Sequence, residues 1–159
     1  MRAAALLLLL AACHRAAPVE DTPGARLEAA AVARGLVADT QGGSPVGSWA
    51  SDSDRLCIVP HGDRLRLGVL VDYGEGQGCA GTGEVRRDAD RLKVQLGSCR
   101  FDARYDGDRI AFPAELPSAC NALCTGRASL TALAVDRQSA SASEAAMLRA
   151  PGGRRLCGD

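Results

Sequence analysis

The chain has 159 residues, enough for one domain and not two, and its 19 basic residues balance 19 acidic ones. Beyond residue 12, Leu, Ile, Val and Phe number 28 of 147 residues, about 19%, below what a self-sufficient apolar core usually carries. Neutrality argues against disorder and against nucleic-acid binding, which needs a surplus of Arg and Lys to neutralise phosphates, so something besides a large core must hold the fold.

Residues 1–13 read MRAAALLLLLAAC: one positive charge at Arg2, an apolar run from Ala3 to Leu10, then small residues before Cys13. The run is shorter than the roughly 20 residues of a membrane span and has the layout of a secretory signal. Leu10-Ala11-Ala12-Cys13 resembles the lipobox of bacterial lipoproteins. That resemblance implies cleavage after residue 12, a diacylglycerol and further acyl chains such as palmitate on Cys13, and partnership with a membrane through that anchor. With two or more chains, at about 0.8 kcal/mol per buried methylene, the anchor would be stable. The residue after the cysteine is His14 and not aspartate, which by the sorting behaviour of such lipoproteins favours the outer over the inner membrane.

Residues 13–24 carry Pro18 and Pro23 and show no period, which reads as a tether. The remainder, 25–159, is expected to form a single disulfide-linked domain. Ala25 to Asp39 is alanine-rich and predicts a short helix, and Gln41-Gly42-Gly43-Ser44-Pro45 breaks it. From Val46 the pattern turns to alternation. Leu65, Leu67, Val69, Val71 and Tyr73 share one face of a long strand; Leu92, Val94 and Leu96 share another, and Cys99, Phe101, Ala103 and Tyr105 a third. His61-Gly62-Asp63, the run Gly74 to Gly78, Asp88-Ala89-Asp90 and Asp106-Gly107-Asp108 are turn signals between strands. Strands joined so tightly make an antiparallel meander, closing into a small barrel or sandwich. After Ile110 to Phe112, Pro113 to Pro117 cannot sit in a central strand. Ala128 to Val135 suggests a last strand, Ser141 to Glu144 a capping box opening a helix through Arg149, and Leu156-Cys157 a tail tied back to the domain.

Cys57, Cys79, Cys99, Cys120, Cys124 and Cys157 are six cysteines for an oxidising compartment, and three disulfides are the expected staples. Connectivity is one of fifteen possibilities. If Ala89 is a hairpin tip, Cys79 and Cys99 are equidistant from it and are expected to pair. No Cys-x-x-Cys occurs, so neither a zinc site nor a thioredoxin-type pair is expected, and no cofactor is implied.

Catalytic candidates are few. His61 is the only histidine beyond His14, with Ser51, Asp52, Ser53, Asp54 and Asp63 near it in sequence, a cluster that also suits a solvated loop. Asp52-x-Asp54 lacks the rest of a calcium loop. The glycine run Tyr73 to Gly83 has no following Lys-Ser/Thr and reads as a turn with close packing and not a phosphate loop. Arg86, Arg87, Arg91 and Lys93 alternate with Asp88 and Asp90 as a solvated hairpin tip that leaves room for a weak anionic ligand such as a lipid head group or polysaccharide. Trp49, the sole tryptophan, reads as a core plug at one end of a barrel.

The body resembles small bacterial envelope lipoproteins. Its Gly47-Ser48-Trp49 opening with Cys57 and Cys79 also resembles the periplasmic β-barrel inhibitors of metalloproteases, which use one disulfide and a free N-terminal segment, where this chain has six body cysteines. The leading expectation is a non-catalytic binding or structural lipoprotein whose partner is an envelope protein or polysaccharide. The alternatives are an inhibitor of a protease or lysozyme, and a hydrolase using His61.

Overall fold

The computed structural model describes residues 22–33, 43–150 and 152–158. Two units are described separately. The described residues of the first form helix α1 (Pro23–Ala33). It starts two residues before the expected Ala25 because Thr22 caps it, its Oγ1 accepting from Ala25 N at 3.2 Å, and Pro23 takes the first helical position, where a missing N–H costs nothing. Residues 34–39 of the expected helix, the proposed signal and Cys13 lie outside the described residues.

The second unit is an antiparallel β-barrel. Its strands are β1 (Gly47–Ser51), β2 (Asp54–His61), β3 (Arg64–Asp72), β4 (Gly78–Asp88), β5 (Arg91–Leu96), β6 (Cys99–Tyr105), β7 (Arg109–Ala111), β8 (Cys124–Thr125) and β9 (Ala134–Ser139). Each of β1 to β7 pairs with its neighbour in sequence, and β9 pairs with both β7 and β1 to close an eight-stranded barrel; β8 is a two-residue addition on β4. Closure answers the low aliphatic content. An eight-stranded barrel is just wide enough for side chains to fill, so a modest set of Leu, Ile and Val suffices. Leu56, Ile58, Leu67, Val69, Leu92, Leu96, Ile110 and Val135 occupy the interior with Trp49, and no polar or charged residue is buried among the described residues.

The turns at residues 62–63, 89–90 and 106–108 gather at one end, here the upper end. The lower end holds the turns at 52–53, 73–77 and 97–98 and is closed by the segment 112–133, which includes a 3-10 helix (Ser118–Leu123) and the buried Leu130 and Leu133. This plug corrects the expected strand over Ala128 to Val135. Ala132 N donates to Pro113 O and Phe112 N to Leu133 O, so the chain folds back on itself before β9 begins at Ala134.

The expected Cys79–Cys99 disulfide is also corrected. Cys79 bonds Cys124, Cys99 bonds Cys120, and Cys57 bonds Cys157. The β4–β5 hairpin turns at Ala89 as expected, but β5 ends at Leu96 and the chain reverses at Gly97 before Cys99, while the first half of β4 pairs with β3 and β8 instead. Hydrogen-bonded ladders hold the barrel strands to one another; the disulfides fasten the plug and the tail, and Cys79–Cys124 reinforces the short β4–β8 pairing. Two tie the plug to β4 and β6, and the third ties the C-terminal tail to the outer face of β2.

On that face α2 (Ala142–Ala146) and the tail form a second apolar cluster, in which Cys57 and Val59 meet Ala145, Leu156 and Cys157. Ser141 caps α2, its hydroxyl accepting from Glu144 N, but its own N–H donates to Ser139 Oγ, so half of the expected capping box forms. The helix stops at Ala146 and not Arg149, because the chain turns to let Leu156 N donate to Leu148 O at 2.7 Å.

Candidate functional site

β2 decides the fate of the catalytic candidates. Ser51, Asp52, Ser53 and Asp54 lie at its lower end and His61 at its upper end, roughly 23 Å away for a strand of this length. Asp63 alone shares the His61 turn, and the His61 Nε2 accepts from Arg66 at 2.9 Å. At the lower end Ser53 donates to the Asp72 carbonyl, and burial raises the Asp54 carboxyl above its ordinary value. Among the described residues no group of three or more His, Cys, Asp or Glu is placed to hold a metal ion. The glycine run forms the β3–β4 turn and the start of β4, where a Cβ on Gly83 would collide with the Gln95 carbonyl. It packs backbone against backbone.

Trp49 is fully buried beneath the upper end, edge-on to Tyr105 at 5.9 Å, its Nε1 donating to Pro45 O. Arg137 lies over its ring at 4.1 Å and Arg87 lies over Tyr105 at 5.1 Å. Arg87 is therefore not part of a solvated tip: its position on β4 turns it inward, and it donates to Gly43 O. Burial pushes the Tyr105 hydroxyl above its ordinary value, with Arg137 and Arg87 pulling the other way.

The outer face of β3 to β6 is different. Strand register lines up Arg66, Glu84, Gln95 and Arg100 in one row, and Arg86, Lys93 and Asp102 in the next. Arg64 donates to Glu84 at 2.7 Å, a bond that raises the guanidinium above its ordinary value, and Lys93 pairs with Asp88 at 2.7 Å, holding that carboxyl low. Two depressions of about 800 and 670 Å³ are both lined by the Arg64–Glu84 pair; the larger extends along Arg86, Lys93 and Arg100, the smaller along Arg66, Arg154 and Arg155. The hairpin signal of Arg86 and Lys93 points toward this face, but Arg66, Arg100, Arg154 and Arg155 carry no such signal in sequence, because only register and the returning tail bring them together.

Comparison with protein-family models, curated proteins and solved structures finds no match.

Proposed function

We propose that the chain is an exported lipoprotein, cleaved before Cys13 and anchored there by acyl chains in the cell envelope, outer membrane favoured, with the barrel as a non-catalytic binding module. The observation that carries this reading is the set of three disulfides, which persist in oxidising compartments, in a chain whose first 13 residues resemble a lipoprotein signal. Separation of His61 from the serines favours binding over hydrolysis, and the rows of charged side chains on β3 to β6 offer a surface for it.

The test is the intact mass of protein extracted from membranes after thiol blocking, with and without reduction. The expected result is a chain beginning at Cys13 with added acyl mass and six thiols blocked only after reduction. An uncut or lipid-free chain would end the anchor reading, and thiols reactive without reduction would end the envelope assignment.

A further inference from the structure

We infer that the outer face of β3 to β6 binds an acidic polysaccharide, one bearing carboxylate or phosphate groups. This rests on the binding-module reading but not on the lipid anchor. The first ground is charge. Apart from the inward-turned Arg87, the two depressions are lined by seven Arg and Lys side chains against three carboxylates, in a chain that is neutral overall. Such a concentration of one sign raises the local density of anions. Arg86, Arg100 and Arg154 make no side-chain hydrogen bond or ion pair among the described residues, leaving their guanidinium forks open for carboxylate or phosphate oxygens.

The second ground is spacing. Arg66 on β3, Arg86 on β4, Lys93 on β5 and Arg100 on β6 place one cation on each successive strand. Neighbouring strands lie about 4.8 Å apart, close to the length of one sugar residue along a chain. Arg86 and Lys93 are cross-strand partners at that interval, while Arg66 and Arg100 stand in the adjacent row two residues along their strands, so the cations form a staggered band across four strands over which a charged polymer can lie.

The third ground separates a glycan from a membrane. A bilayer-binding surface sets large apolar side chains beside its basic ones. Among the described residues the exposed large apolar ones, Leu27, Tyr73 and Met147, line neither depression, and Leu65, Val85, Val94 and Phe101, which border the larger one, pack against the barrel core. Glu84 and Asp102 stand among the cations, where sugar hydroxyls have acceptors to donate to.

The experiment titrates the oxidised full chain with oligogalacturonate, phosphorylated mannan, neutral dextran and phosphatidylglycerol vesicles. At least one anionic glycan should bind, dextran should not, and affinity should fall steeply on moving to about 1 M salt, where charges are screened within about 3 Å. Arg86→Glu/Arg100→Glu should weaken binding at least tenfold. Arg104→Glu/Arg127→Glu, which changes net charge equally outside both depressions, should weaken it less than threefold. Non-reduced peptide maps showing the three native disulfides verify the fold of each variant. The inference is overturned if neither anionic glycan binds, if both double variants lose affinity equally, or if only vesicles bind. Absence of acyl mass at Cys13 would overturn the anchor while leaving the glycan result standing.

Discussion

Arg137 donates to the Tyr105 hydroxyl at 2.8 Å while its guanidinium covers the Trp49 ring. The same side chain reaches the carbonyls of Gly107, Val46 and Ser44, so one residue of β9 ties together β6, the β6–β7 turn and the segment entering β1. Among the described residues its partners include no carboxylate; carbonyl oxygens, the Tyr105 hydroxyl and the Trp49 ring face stabilise the charge. A lysine has one point of charge and no planar fork, and it cannot reproduce these contacts. Arg137→Lys should destabilise the barrel by about 2 kcal/mol, from lost charge-assisted hydrogen bonds and ring contact. Urea unfolding followed by the fluorescence of Trp49 reads this directly, and a change below about 0.5 kcal/mol would show that the cluster is ornamental to stability.

The disulfides differ in what they enclose. Cys57–Cys157 spans 100 residues, Cys79–Cys124 spans 45 and Cys99–Cys120 spans 21. On chain entropy alone they restrict the unfolded state by about 5, 4 and 3 kcal/mol. Paired alanine substitutions should lower the melting temperature in that order. Cys57→Ala/Cys157→Ala should leave the plug-to-barrel bonds in a non-reduced peptide map. An inverted order would mean that anchoring the plug outweighs loop length.

Much of the barrel is legible in the sequence because a strand with one wet face must alternate. Leu65, Leu67, Val69 and Val71 do so, and β3 is where the alternation puts it. β2 hides its nature, since Leu56, Cys57, Ile58 and Val59 are apolar in succession; the reason is a second cover, α2 and the tail, over a face that alternation would have left wet. The plug is similarly illegible, because its apolar residues answer to the barrel's lower end and not to any period of their own. The charged face needs the register of four strands, which no single segment contains. Cys79 and Cys99 show the limit most clearly: symmetry about a hairpin tip identifies the turn but cannot tell where the returning strand stops.

Gly68 lies on the outward side of β3, beneath the tail. A Cβ there would meet Leu156 O at 2.6 Å and Leu156 Cγ at 2.7 Å. The backbone on both sides is fixed, by the β2–β3 ladder and by Cys57–Cys157, so the tail has to move. Gly68→Ala should cost about 1–3 kcal/mol through overpacking and loosen the tail. Hydrogen exchange at Leu156 N, whose bond to Leu148 O is one of the tail's anchors, should accelerate. Unchanged protection there would mean that β3 yields instead of the tail.

Two aspartates should respond to pH in opposite directions. Burial raises Asp54 above its ordinary 3.8, with the neighbouring Asp52 and Asp72 acting in the same sense against a backbone hydrogen bond and Arg55. Its carboxyl therefore favours the folded state below about pH 3.8, and that contribution is lost as pH rises through the folded value. Asp88 is held below 3.8 by its hydrogen bond to Lys93 and by that residue's charge, so its contribution is present above about pH 3.8 and lost as pH falls through the lower folded value. Asp54→Asn should accordingly gain stability relative to the native chain between pH 3 and pH 7. Asp88→Asn should lose over the same interval, by a small amount because the pair is exposed to solvent. Urea unfolding of the three proteins at both pH values separates the cases. If the two variants move in parallel, the ion pair of Asp88 and the burial of Asp54 do not set their protonation.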